Sequence, residues 1–264
     1  MLASRAALDV SRFVAHARAT YDRRPLVTDR SIPSVDPVSS RRSADAPVPT
    51  ACIAAGAVLH TRDGSTFVAH YGSVPAEIAV CLKSVGLVDH SDYGALELRG
   101  DRALLDRTLV ARLGDPPLSV GSARRLRDVW YLRLEARRIL LVGPHEALAS
   151  GPPIGGGRDR AELQHSDIGT SLTILGIVGP RASRLVAAMG LPGRLAIGAI
   201  GSDLGEPGVV AILRESQRRY LALISRDRGD AFWARLVEAG KPLGAAFVGC
   251  DALTLLNASA DAAG

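Results

Sequence analysis

The chain has 264 residues, 47% of them hydrophobic and 22% charged, with a formal net charge of +5. That length and balance allow one large or two small globular domains with a proper core. Aromatic residues make up only 4%, which argues against a nucleic-acid surface built on stacked rings, and no run of about 18 apolar residues marks a membrane span.

The basic excess comes from arginine, since Lys83 and Lys241 are the only lysines. The arginines are spread along the chain, as in Arg124, Arg125 and Arg127, then Arg137 and Arg138, then Arg218 and Arg219. Spread of this kind reads as solvated faces rather than a basic stripe for nucleic acid, and it is also compatible with a small anionic ligand. Cys52, Cys81 and Cys250 sit at no metal-ligand or redox spacing. An odd, sparse set points to a reducing compartment, and the start lacks a signal-peptide core, so a cytoplasmic protein is expected.

Residues 1–50 are rich in Ser, Arg, Pro and Asp and read as a tail, with one short amphipathic helix near Ala6–Ala19. The ordered body is expected over 51–258. Ser73–Val85 has helical spacing, with Ser73 as N-cap, Pro75 in the first turn and Gly86 as the stop. Gly94–Arg99 alternates as a strand. Asp101–Leu113 reads as a helix with Leu104, Leu105, Thr108 and Leu109 on one stripe, closed by the Asp115-Pro116-Pro117 break.

Val129–Val142 alternates in two runs about Glu135-Ala136-Arg137, a hairpin pattern. Residues 150–160 form a loop, Ser171–Val178 a strand, and Pro180 opens a helix to Met189 with Gly190 as the stop. Val209–Leu213 and Tyr220–Ser225 are strands, Asp230–Ala239 is a helix closed by Gly240, and Asp251–Asn257 is a last short helix. Strands and helices mix without strict alternation, so the fold class is α+β.

Generic motifs give little chemistry. Gly155-Gly156-Gly157 sits in a loop and opens no helix, so it reads as a linker rather than a phosphate cradle. None of the six histidines pairs at helical metal-ligand spacing, and no serine-nucleophile elbow occurs.

The stretch His70–Gly100 is more specific. Tyr71-Gly72-Ser73, Glu77, Gly86-Leu87-Val88-Asp89, Ser91 and Leu98-Arg99-Gly100 resemble, in order and spacing, the opening of the glycine-cleavage aminomethyltransferase family. Leu172–Leu185, with its Gly179-Pro180, and Phe232-Trp233 through Gly240 followed by Asp251-Ala252-Leu253 are similar to two later family segments. The resemblance covers about 56–257 and leaves out the family's C-terminal β-rich domain. It implies a two-lobed α+β fold with ferredoxin-like halves. One lobe is discontinuous, 52–84 plus 165–258, and the other, 85–150, is inserted. It also implies tetrahydrofolate in a central channel and one-carbon transfer.

Residue by residue, the family's functional positions are altered. Asp128 falls at the family's catalytic carboxylate, suited to stabilising positive charge on a folate nitrogen and relaying a proton. It follows Arg124, Arg125 and Arg127 instead of a Gly-rich approach, after a shortened hairpin. Gly143 or its neighbours stand where the family has an Asn. Gln217 falls at the pterin-binding Glu and Tyr220 at a family Tyr, with Glu215 and Arg214 as neighbouring substitutes and Tyr71 as a channel wall or a packed scaffold residue. A Gln amide offers the pterin edge one acceptor fewer than a carboxylate. Thr254 and Leu256 replace a family Arg and Glu, and loss of a bidentate Arg weakens an anionic site.

Two readings follow from the resemblance. The first is a tetrahydrofolate-dependent transferase with a rebuilt site. The second is a non-catalytic subunit similar to the sarcosine oxidase gamma subunit, with a partner subunit covering apolar surface left by the missing domain. A folate-binding iron–sulfur maintenance protein ranks last, because only Val248-Gly249-Cys250-Asp251 approaches that motif.

Overall fold

The computed structural model describes residues 48–62, 65–114, 116–150, 163–202 and 204–261. The helix expected at Ala6–Ala19, residues 1–47 of the tail and the Gly155-Gly156-Gly157 linker lie outside the described residues.

A short helix, α1 (Thr50–Ala54), leads into an antiparallel pair, β1 (Val58–Arg62) and β2 (Ser65–His70). Helix α2 (Val74–Lys83) follows, with Pro75 in its first turn. Ser73 caps it as expected: its hydroxyl accepts the Ala76 N–H at 3.4 Å. Ser84, with φ −138° and ψ −123°, ends this helix. Gly86 is therefore not the stop but the second residue of β3 (Val85–Asp89). A glycine is needed there for packing, because a Cβ would meet Cys81 Sγ at 2.7 Å and Val248 Cγ2 at 2.9 Å.

The chain then crosses to a second sheet at β4 (Tyr93–Arg99) and continues into α3 (Arg102–Leu113), whose N-cap Asp101 accepts the Ala103 N–H at 2.8 Å. Leu104, Leu105, Thr108 and Leu109 form its buried stripe, as the spacing predicts. Strands β5 (Ser122–Leu126), β6 (Val129–Glu135) and β7 (Arg138–Pro144), helix α4 (His145–Ala149) and β8 (Gln164–Asp167) complete this half. The sheet order is β5-β6-β7-β4-β8, antiparallel throughout. Without β5 it is the ferredoxin-like arrangement, with β5 added at the edge.

The other sheet holds β9 (Leu172–Val178), β10 (Ile200–Gly201), β11 (Val209–Ser216), β12 (Arg219–Ser225) and β13 (Ala245–Val248), in the order β10-β11-β12-β9-β3-β13. β3 is antiparallel to β9 and parallel to β13. Thus β3, expected in the inserted lobe, lies in the six-stranded sheet, and β8 joins the five-stranded one. Helices α5 (Ala182–Ala188), α6 (Gly229–Gly240) and α7 (Cys250–Asp261) serve this half. α5 starts two residues after Pro180. α6 ends at Gly240 as expected; a turn of 3-10 helix, Lys241–Leu243, follows, and Gly244 takes the left-handed conformation at φ +67°.

Period-two alternation decides how the halves meet. Trp130, Leu132 and Leu134 of β6 and Leu140 and Val142 of β7 face one way. Val129, Tyr131, Ile139 and Leu141 face the other, onto α3. In the six-stranded sheet, Leu221 and Leu223 turn toward the first set, while Tyr220, Ala222 and Ile224 turn toward the helices. One apolar cluster therefore contains residues of both sheets, so the layers run helix, sheet, sheet, helix. Backbone bonds join the sheets at one edge, with Ala123 N–H donating to Gly198 O at 2.6 Å and Ile200 N–H to Gly121 O at 2.8 Å. Among the described residues no helix is long and apolar enough to cross a membrane.

Candidate functional site

Asp128 sits in the two-residue turn between β5 and β6. Arg127, the other turn residue, has φ +53° and is the one described non-glycine residue in the left-handed region. That position of a tight hairpin favours glycine. Arg125 braces the turn: its Nε donates to the Arg127 carbonyl at 2.8 Å and its Nη2 to Asp128 Oδ1 at 3.1 Å. The Asp128 side chain is 67% exposed, so water screens this pair.

The turn between β11 and β12 approaches from the other sheet. Arg125, Arg127, Asp128, Ser216, Arg218 and Arg219 share one cleft of about 840 Å³. Leu82 of α2, Val178 at the end of β9, and Leu256 and Asn257 of α7 also line it. Two arginine groups about ninety residues apart in sequence are thus brought together. Sequence spacing carries no signal of that convergence, because it comes from the face-to-face packing of two sheets.

Gln217 is exposed on the same turn. Glu215, half-buried, lies near Tyr93. Burial raises the Tyr93 hydroxyl above its ordinary pKa; Glu215 and Asp92 add to that, and Arg125 and Arg219 oppose it. So Asp128, Gln217 and Glu215 gather at one end of the sheet pair.

Tyr220 and Tyr71 do not join them. Tyr220 is fully buried on the helix-facing side, and its hydroxyl donates to Gly193 O at 2.6 Å. Arg214 lies over the Tyr220 ring at 5.8 Å and donates to Leu195 O at 2.6 Å, so it ties down a loop. Tyr71 stacks against Phe247 with ring centroids 5.3 Å apart, and its hydroxyl is buried beside the Cys52 thiol. Burial pushes that thiol up to about 12, so Cys52 is inert at neutral pH.

The other residues of the His70–Gly100 stretch hold the fold. Glu77, 5% exposed, accepts the Tyr71 N–H at 2.7 Å and the Gly249 N–H at 2.8 Å. Asp89 is buried at the crossing between sheets with one oxygen unpartnered, and burial raises its carboxyl to about 6. Among the described residues no group of three or more His, Cys, Asp or Glu side chains could hold a metal ion.

A reduced folate held between the sheets would need a channel there, and these residues do not fit one. The space is occupied by Trp130, Leu132, Leu140, Leu213, Leu221 and Leu223. Gly143, at the position of the expected Asn, has no room for a side chain: a Cβ would meet the Asp128 carbonyl at 2.5 Å and Val129 Cα at 3.2 Å. The short β5–β6 turn has folded over that place.

No family model matches the chain, and no curated protein sequence does. Solved structures do, and the fold they define is aminomethyltransferase-like. The glycine cleavage system aminomethyltransferase T from Bartonella henselae superposes with a TM-score of 0.62 at 21% identity, over 76% of this chain and 58% of that one. The chain therefore spans little more than half the length of that enzyme. The heterotetrameric sarcosine oxidase from Corynebacterium sp. U-96 is looser, with a TM-score of 0.46 at 16% identity, over 66% of this chain and 93% of that one. The likeness shows the fold alone, since one fold hosts many activities.

Proposed function

We propose that this chain is a non-catalytic, cytoplasmic binding subunit on an aminomethyltransferase-like fold, working with a partner protein. The observation that carries this reading is the apolar seam: both sheets send alternate side chains into one packed cluster, from Trp130 on one side to Leu223 on the other. A seam packed in this way leaves no enclosed polar space to orient a pterin or to shield a reacting nitrogen from water. Asp128 is exposed and already paired, so it lacks the desolvated setting that gives a catalytic carboxylate its strength. The unbonded cysteines Cys52, Cys81 and Cys250 support a reducing compartment.

A second reading keeps tetrahydrofolate-dependent one-carbon transfer. It is favoured by the meeting of Asp128 with Ser216 and Arg218 in one cleft, with Gln217 exposed on the same turn. In that reading Asp128 would hold the folate nitrogen, Gln217 would meet the pterin edge, and Arg218 and Arg219 would face the folate carboxylates.

Calorimetry with tetrahydrofolate and 5-formyltetrahydrofolate separates the two. The first reading predicts no binding heat up to about a millimolar ligand. Micromolar binding that Gln217→Ala weakens at least ~tenfold, about 1.4 kcal/mol, would overturn it in favour of the second.

A further inference from the structure

We infer that the arginine-lined cleft is the docking surface for an extended acidic segment of a partner polypeptide, one that carries an apolar side chain beside its carboxylates. The inference rests on the non-catalytic reading and gives the partner its chemistry.

Charge is the first ground. Four guanidiniums, those of Arg125, Arg127, Arg218 and Arg219, line the cleft with a single carboxylate, Asp128. Arg125 is paired with Asp128. The other three have no ion pair among the described residues. Further acidic groups lie outside its lining: Glu215 on the Tyr93 side and Glu77 near Cys81. Three unneutralised cations on facing turns repel one another, and a row of carboxylates would relieve that repulsion.

Backbone is the second ground. Arg127 holds φ +53° where glycine would be unstrained. An arginine kept at such a position fits a side chain used for binding better than one used for folding.

Shape selects a polypeptide. The same cleft is also lined by Leu82, Val178 and Leu256, so carboxylates and a hydrophobic side chain can be satisfied at once. Arg125, Arg127, Arg218 and Asn257 on the rim are exposed. An open cleft of about 840 Å³ suits a segment laid across it better than a small molecule, which sites usually enclose. Among the described residues no aromatic side chain lines it, so it lacks the stacking platform that single-stranded nucleic acid uses.

The test is fluorescence anisotropy on the full chain. The probes are a labelled peptide alternating Glu and Leu, its Lys-for-Glu counterpart and a labelled oligo-dT. The expected result is saturable binding of the acidic peptide alone, weakened by added salt. Arg218→Glu should weaken it at least ~fivefold through charge reversal. Arg127→Gly should weaken it too, with a thermal midpoint equal to or above that of the parent, because glycine relieves the positive φ. That second variant separates lost binding from lost folding. No binding of the acidic peptide at a millimolar, or equal binding by both variants, overturns the inference. So does oligo-dT binding as tightly as the acidic peptide, which would make the cleft a general polyanion surface. Absence of both folate and peptide binding refutes the docking inference and leaves the non-catalytic reading standing. Folate binding in the cleft refutes both.

Discussion

Replacing Glu77 by alanine removes the group that ties the start of α2 to the loop before α7. Its carboxylate accepts two backbone N–H groups, those of Tyr71 at 2.7 Å and Gly249 at 2.8 Å, from segments 172 residues apart in the second case. The side chain is 5% exposed, so water does not replace it freely. A buried donor left without an acceptor costs about 1–3 kcal/mol, and two such donors about 2–6 kcal/mol together. In a domain of this size each kcal/mol lowers the thermal midpoint by roughly 2–4 °C. The expected fall is therefore roughly 4–24 °C, with Glu77→Gln intermediate because its amide keeps one acceptor. Thermal unfolding followed by circular dichroism, with a urea titration to confirm an unchanged m value, reads the effect. A midpoint within about 1 °C of the parent would refute the latch, and with it the assignment of this motif to fold rather than activity.

Gly143→Asn should destabilise the chain by at least about 2 kcal/mol and create no folate binding. Its Cβ would collide with the Asp128 backbone, and urea unfolding with calorimetry would detect either failure. Asp128→Asn should shift stability by less than about 1 kcal/mol, because its partner is exposed arginine; a larger loss by urea unfolding would place the carboxylate in a role the structure does not show. Tyr220→Phe leaves the Gly193 carbonyl without its donor and should cost about 1–2 kcal/mol, read the same way. Asp89 gives a pH signature. Burial raises its folded-state value to about 6 from an ordinary 3.8, so its contribution is fully present below the ordinary value and is lost as pH rises through about 6. Asp89→Asn should thus gain stability relative to the parent between pH 4.5 and 7, and a constant difference in thermal midpoint across that range would contradict the assignment.

Much of the fold is legible in the sequence where one residue type does one local job. Ser73 and Asp101 announce their helices because each hydroxyl or carboxylate satisfies a backbone donor in the first turn. The β6–β7 hairpin shows because apolar residues of both runs are buried on two faces. β1 leaves no alternation to read, since all five of its residues are exposed. β3 is hidden for the opposite reason: every residue is buried, and its Gly86 resembles a helix stop. β5 and β8 are polar edge strands, Ser-Ala-Arg-Arg-Leu and Gln-His-Ser-Asp, whose place is set by their neighbours rather than by their own pattern. The site was less legible still. Asp128, Glu215 and Gln217 are named by resemblance alone, and the burial of Tyr71 and Tyr220 depends on packing partners far away in sequence. The arginine cleft exists only once two turns from different sheets meet.

The two sheets meet across a packed apolar seam instead of a ligand channel. Native-state hydrogen exchange on β6, β7, β11 and β12, with and without tetrahydrofolate, tests it most directly. These amides should exchange only through global unfolding, and about a millimolar of folate should leave their rates unchanged. Rapid local exchange along the seam, or selective protection of these strands by folate, would contradict it.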